Sequence, residues 1–417
     1  ISWINMTNTI KDQTVLRLIA EESKRQIDEL ELIASENYAS PAVLAALATP
    51  LANKYSEGYP GKRYYGGNHI IDEVENLAIE RAKQLFKAEH VNVQPLSGSP
   101  ANLAVYLALL QPGDTVLSLR LDHGGHLSHG HPMNISGRLF NFVHYEVDPQ
   151  TGYLDMDQIR KQAKETKPKL IVAGFSAYSR EIDWVGFHNI ALEVGAYTLA
   201  DISHTAGLIA GEQLINPVPF FDVVTTTTHK TLRGPRGAII MCQTKLAKKI
   251  DQAVFPGLQG GPHDNVTAAK AIALGEALEP SFKEYAHQVI ANAQFLAKKL
   301  QAAGYSIVSG GTDNHLMIID LRPQNITGRE AELALEKAGL STSRSTIPGD
   351  PRPPFNPSGL RLGTAAVTTR GFKEKEIEHI AIWFDQALKS RDNNQTLAAI
   401  KQQVADLGRR LPPPQYY

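Results

Sequence analysis

The sequence predicts an α/β protein: a mainly parallel sheet covered by helices on both faces, followed by a smaller α+β unit. Three observations carry this. The middle of the chain alternates short β-rich runs with helical stretches, the pattern of strand–helix–strand units. The pattern changes after Pro280. At 417 residues, 42% of them hydrophobic, the chain is long enough to bury two cores.

Thr115 to Arg120, Lys169 to Ala173, Tyr197 to Asp201, Val223 to Thr227 and Ala238 to Cys242 read as strands. Helical patterns lie around Asp72 to Phe86, Ser99 to Leu110, Met156 to Thr166 and Val185 to Val194. In such sheets ligands collect beyond the carboxyl ends of the strands, so polar residues there are the ones to inspect. Val266 to Leu278 reads as a helix that stops at Pro280, and a longer one follows over Tyr285 to Ala303. Then come strand-like Ser306 to Ser309 and Leu316 to Leu321, a helix over Gly328 to Lys337, and a proline-rich loop from Ile347 to Pro357. The strand Gly359 to Gly363 and the helix Glu374 to Leu388 complete the second unit. Leu411 to Pro414 cannot continue a helix and predicts a surface tail.

Charge and composition exclude several function classes. With 42 Lys and Arg against 43 Asp and Glu, no global basic surface is available for nucleic acid or a membrane. No apolar stretch approaches the roughly 18–20 residues needed to span a bilayer. Cys242 is the single cysteine, so no intrachain disulfide forms, and its apolar run Ala238 to Met241 predicts burial in a strand. Ile1 to Ile10 lack the charged-then-apolar pattern of a secretory signal; Met6 is a plausible natural start and the cytoplasm the default location.

Lys230 follows the β-branched run Thr225 to Thr228 and His229, so it should emerge at a strand end. A lysine there is either a solvated surface residue or, if its pKa is lowered, an amine able to form a Schiff base with an aldehyde cofactor. Asp201 ends another strand. It reads as a helix N-cap or as the partner of a pyridinium nitrogen, the arrangement of pyridoxal-phosphate sites. Ser97, Gly98 and Ser99 lead into a helical run, with Ser99 as expected N-cap and Pro100 at the first helical position. Such a helix start binds anions. The four histidines between His123 and His131 invite a zinc reading, but the glycines among them favour a close-approach loop with an imidazole stacked on a cofactor ring; no metal site is expected. Arg361 reads as a bidentate carboxylate clamp or as half of a structural salt bridge. The loop Lys54 to Gly67 is aromatic, charged and glycine-rich, and its Glu57 is a general acid or base if desolvated, a solvated side chain otherwise.

Taken together these residues resemble the serine hydroxymethyltransferase family. The resemblance runs from about Glu29 to Ala387 and is carried by Glu31 to Asn37, Tyr59 to Gly67, Asn92 to Pro95, His123 to Leu127, Val223 to Gly237, Phe255 to Pro262 and Thr368 to Gly371. It implies a fold-type I pyridoxal-phosphate enzyme with a mainly parallel seven-stranded sheet. It divides the chain into an N-terminal arm and helix joining the dimer (1–52), a large cofactor-binding domain (53–279) and a small C-terminal domain (280–417). The implied reaction is the reversible transfer of the serine hydroxymethyl group to tetrahydrofolate, giving glycine and 5,10-methylenetetrahydrofolate. The implied cofactor is pyridoxal 5'-phosphate, with tetrahydrofolate as co-substrate. The implied assembly is a homodimer with shared active sites, a tetramer being the alternative.

The resemblance assigns roles residue by residue. Lys230 holds the cofactor aldehyde, Asp201 pairs with the ring nitrogen and His126 stacks on the ring. Ser176 and His204 lie near the phenolic oxygen. Ser97, Gly98, Ser99 and His229 hold the phosphate, with Tyr55 and Gly261 from the partner chain. Ser35, Tyr65 and Arg361 hold the substrate carboxylate. Glu57 is the acid or base of the one-carbon step, and Glu57, Tyr65 and His229 join Lys230 as the expected catalytic set. Leu121, Gly125 and Leu127 border the folate. Ser345 stands where the family often has an asparagine facing the pterin, and Leu96, His263 to Asn265 and Ala365 also depart from the usual pattern. Ser345 is the one feature favouring a folate-independent aldolase acting on β-hydroxy amino acids; Glu57, Tyr64, Tyr65 and Leu121 to Leu127 favour the transferase.

Overall fold

The computed structural model describes residues 11–416; Ile1 to Ile10, with the expected start Met6, and Tyr417 lie outside them. The centre is a seven-stranded sheet. Its strands in chain order are β1 (His90–Asn92), β2 (Thr115–Leu119), β3 (Asn141–Tyr145), β4 (Leu170–Gly174), β5 (Tyr197–Asp201), β6 (Val223–Thr227) and β7 (Ala238–Cys242). They lie side by side as β1-β7-β6-β5-β4-β2-β3. Only β7 runs against its neighbours; the other pairings are parallel.

The apolar runs read from the sequence explain why the sheet is covered on both faces. Successive side chains of a strand point to opposite faces. Accordingly Ile171, Ala173, Ala200, Val224, Ile239 and Met241 fall into one core. Their alternates Leu170, Val172, Leu199, Val223, Ile240 and Cys242 fall into another. Every residue of β4, β6 and β7 is buried, as two-sided coverage requires. Burial holds the Cys242 thiol well above its usual range, pushed up to about 12, and leaves it inert.

A second sheet of four antiparallel strands joins Ser306–Ile307, Leu316–Asp320, Gly359–Gly363 and Ser343–Ser345 in that order. It carries its own core with the helices Pro280–Ala302, Glu374–Lys389 and Asn394–Arg410. The N-terminal segment crosses to this unit: after the helix Gln13–Asp28, Leu30 and Leu32 enter its core, and Leu30–Glu31 pairs in parallel with Leu340–Ser341.

Several expectations need correction. The helix expected to stop at Pro280 does so, ending at Ala277, but the next helix begins at Pro280 itself and not at Tyr285, because proline is accommodated at the first helical position where its missing N–H costs nothing. The helix expected from Ser99 starts at Gly98 with Ser97 as its N-cap. Ser306–Ile307 is shorter than expected, because Ser309 turns the chain with φ at 59°. Leu411 to Pro414 is no free tail. It follows the helix Asn394–Arg410, Pro413 is buried, and the Leu411 carbonyl accepts a 2.7 Å hydrogen bond from Arg370 Nε. Arg370 also donates to the carbonyls of Gln26, Ile27, Glu29 and Gly408, tying the ends of the first and last described α-helices together. No described helix is long and apolar enough to cross a membrane.

Candidate active site

The carboxyl ends of β5 and β6 and the start of the helix Gly98–Leu109 enclose a cavity of about 180 Å³. Of the sequence-predicted residues, Ser97, Gly98, Ser99, His126, Ser176, Asp201, His204, His229 and Lys230 all line it. Sheet topology brings them together: parallel strands deliver their last residues to one edge, where a ligand has access to backbone and side chains.

Lys230 Nζ donates a 2.9 Å hydrogen bond to Thr227 Oγ1. It has no carboxylate within ion-pair distance among the described residues, and burial pushes its pKa down to about 8. Asp201 takes the opposite direction. Burial would raise its pKa, but the hydrogen bond and charge of His129 outweigh that and hold it well below the usual carboxylate range. Its oxygens accept from His129 Nε2 at 3.0 Å, Asn102 Nδ2 at 2.9 Å and the Ser203 backbone N–H at 3.1 Å. The cavity therefore holds a neutralisable amine and a fixed negative charge.

Three further imidazoles are kept neutral by burial. The His126 pKa is pushed down to about 4 and that of His229 to about 3; His204 falls well below its usual value. His126 Nδ1 bonds Ser128 Oγ at 2.8 Å. His229 Nδ1 is buried with no partner among the described residues, an orphan that a ligand atom would satisfy. His204 Nδ1 meets His315 Nε2 at 3.2 Å, with the two rings stacked.

The helix start is shaped for an anion. Ser97 makes no side-chain capping bond, so its hydroxyl is left for a ligand. A Cβ on Gly98 would sit 2.8 Å from Thr227 Cγ2, so only glycine lets helix and strand approach this closely. A phosphate-bearing aromatic aldehyde fits this set of donors, amine and carboxylate.

Arg361 flanks the cavity. It donates to the Ser176 carbonyl at 2.5 Å and to Ser343 Oγ at 3.3 Å, and no acidic side chain pairs with it among the described residues. The structural salt bridge is thereby removed as its reading. Burial lowers its pKa to about 10. Ser35 lies in an adjoining cavity of about 460 Å³, with His229 and Arg236 on the wall between the two.

A second group sits apart. Tyr55 and Tyr65 form an edge-to-face pair with centroids 5.2 Å apart, both about half exposed. Gly260 and Gly261 lie against Glu57 and Tyr55. None of Tyr55, Glu57, Tyr65 and Gly261 lines the Lys230 cavity of its own chain. Leu121, Gly125, Leu127 and Ser345 also lie outside that lining; Leu121 and Leu127 are exposed, and Ser345 Oγ donates to the Thr346 carbonyl at 3.0 Å.

The sequence singles out Thr225 to Thr228 as hydroxyl donors, and Thr227 does line the cavity, but it does not point to His129, Asn102, Ser203 or His315. His129 was one of four histidines in nine residues, with nothing local to set it apart. Asn102 lies on the predicted helix one turn beyond Ser99, and that spacing was the available signal.

The chain matches the family model described as serine hydroxymethyltransferase over residues 9–384. It is 55% identical to a protein named serine hydroxymethyltransferase from Alkalilimnicola ehrlichii over 98% of both chains. A protein of the same name from Legionella pneumophila is 55% identical over 97% of this chain and 98% of its own. One from a Synechococcus species is 55% identical over 96% and 95%. With a cavity of this chemistry and a match of this length, the chain belongs to the serine hydroxymethyltransferase family.

Proposed function

We propose that this chain transfers the hydroxymethyl group of serine reversibly to tetrahydrofolate, giving glycine and 5,10-methylenetetrahydrofolate. Members of its family use pyridoxal phosphate with tetrahydrofolate as co-substrate. The observation that carries the reading is the pairing, in one cavity, of an amine with no acidic partner at Lys230 and a carboxylate kept ionised at Asp201.

When bound, pyridoxal phosphate supplies an electron-poor ring that takes up the electron pair released at the substrate α-carbon. The chain's residues do the rest. Lys230 holds the aldehyde carbon, and its lowered pKa makes the amine available near neutral pH. Asp201, oriented by His129 and Asn102, keeps the ring nitrogen protonated. His126 packs on the ring, while Ser176 and His204 flank its phenolic oxygen. Ser97, Gly98, Ser99 and His229 hold the phosphate. Arg361, with Ser35 and Tyr65, would grip the substrate carboxylate and so fix the orientation of the α-carbon. Glu57 moves the proton of the hydroxymethyl oxygen. Leu121, Gly125 and Leu127 border the folate, with Ser345 beside its pterin.

The assembly belongs to this proposal: a homodimer in which Tyr55, Glu57, Tyr65 and Gly261 complete the partner's cavity. Their exposure and their absence from the lining of their own cavity support it. Location in the cytoplasm is also part of this proposal, and the lone buried thiol suits it. The direct test is glycine formation from serine by the cofactor-loaded protein, with and without tetrahydrofolate. The expected result is turnover that depends on folate; a rate indifferent to folate would refute the transferase reading.

A further inference from the structure

Lys270 lies on the helix Asp264–Ala277, outside the cavity, and its side chain is buried. Its Nζ donates to three backbone carbonyls: Val93 at 2.6 Å, Ala238 at 2.9 Å and Pro95 at 3.0 Å. An ammonium has three N–H donors, so all three are used. No carboxylate shares it by hydrogen bond among the described residues; the charge of Glu75 acts on it only through space. Burial of a lysine without an ion-pair partner is costly, and its pKa is pushed down to about 7. A structure that tolerates this cost gains something specific from it.

The three carbonyls show what is gained. Val93 and Pro95 precede Ser97 to Ser99, the helix start proposed to hold the phosphate. Ala238 opens β7, directly after the turn that follows His229 and Lys230. The Pro95 carbonyl also accepts from the Ala238 N–H at 3.2 Å, and the Gly237 carbonyl accepts from the Thr228 N–H at 3.0 Å. The ammonium thus sits at the junction of the two chain segments that supply the cavity's anion donors. A Cβ on Gly237 would lie 2.5 Å from Lys270 Cε, so that glycine leaves room for the stem.

We propose that Lys270 is a positioning residue for the cofactor's phosphate: from behind the cavity, it sets the spacing between Ser97 to Ser99 and His229–Lys230. This rests on the reading of the cavity as a pyridoxal-phosphate site. Lys270 does not touch the ligand and acts only through the two segments it joins.

The test compares ligands that differ by the phosphate alone. Apoprotein is titrated with pyridoxal phosphate and with pyridoxal, following the visible band of the bound form. Lys270→Met weakens pyridoxal phosphate by roughly tenfold or more, the scale of a lost charged hydrogen bond, while pyridoxal changes by less than about threefold. Gly237→Ala, which pushes the stem off its seat at a position of ordinary backbone conformation, gives the same selective loss and serves if Lys270→Met does not fold. Equal weakening of both ligands, or of neither, in the variant that folds overturns the proposal. Wild-type protein that fails to take up pyridoxal phosphate overturns instead the reading of the cavity on which it rests.

Discussion

At the scale of single residues, the site separates charge by giving each group a different neighbour. Lys230 is buried beside a hydroxyl, and Asp201 is buried beside an imidazole and an amide. The first loses its charge easily and the second keeps it. This yields a pH prediction with a definite sign. With a pKa near 8, the fraction of Lys230 present as free amine grows about tenfold per pH unit below that value and saturates above it. The rate of pyridoxal-phosphate uptake by apoprotein, measured by stopped-flow absorbance, should therefore climb from pH 6 and level off just above pH 8. A climb continuing to about pH 10 would mean an ordinary, solvated lysine. Lys230 and Asp201 were legible in the sequence only in combination, since alone the first reads as a surface lysine three residues beyond its strand and the second as a helix N-cap. His129 was not: its ring is identified only by the Asp201 carboxylate that approaches it from 72 residues away.

At the scale of elements, the helix Gly98–Leu109 and β6 meet where the anion donors lie. The close approach depends on Gly98, since an added Cβ would fall 2.8 Å from Thr227 Cγ2, while Thr227 Oγ1 holds Lys230 Nζ. Gly98→Ala must push helix and strand apart, at a cost of about 1–3 kcal/mol. Equilibrium titration should show pyridoxal-phosphate affinity falling roughly tenfold or more. Thr227→Ser in the same chain removes the clashing methyl, keeps the hydroxyl and should restore most of the loss. Wild-type affinity in Gly98→Ala would take the helix start out of the phosphate site. The sequence foretold this element within two residues, because small residues before a helical run have few other uses. It missed β1 and β3. The first is three residues long; the second, at the sheet edge, is only partly buried, so its apolar alternation is diluted by Asn141 and His144.

At the scale of the whole molecule, Arg370 joins the segments around residues 26–29 and 408–411 by donating to carbonyls of both, five of them among the described residues. No periodicity could reveal that, since the partners are backbone atoms and carry no sequence signature. The proposed homodimer rests on another kind of signal. Tyr55, Glu57, Tyr65 and Gly261 form a polar, aromatic group outside the lining of the Lys230 cavity, and the one carboxylate in that lining among the described residues, Asp201, is held by His129 and Asn102. If two chains share their sites, a subunit with Lys230→Ala and one with Glu57→Gln complement each other. In a mixed dimer one site combines both lesions, and the other combines an intact Lys230 with an intact Glu57. Random reassociation makes half the dimers mixed, so about a quarter of wild-type activity should return from two nearly inactive variants. Activity is measured after the two are unfolded and refolded together, against each refolded alone. A mixture no more active than its components would place both residues in one chain's site, and the exposed tyrosines would then need another partner.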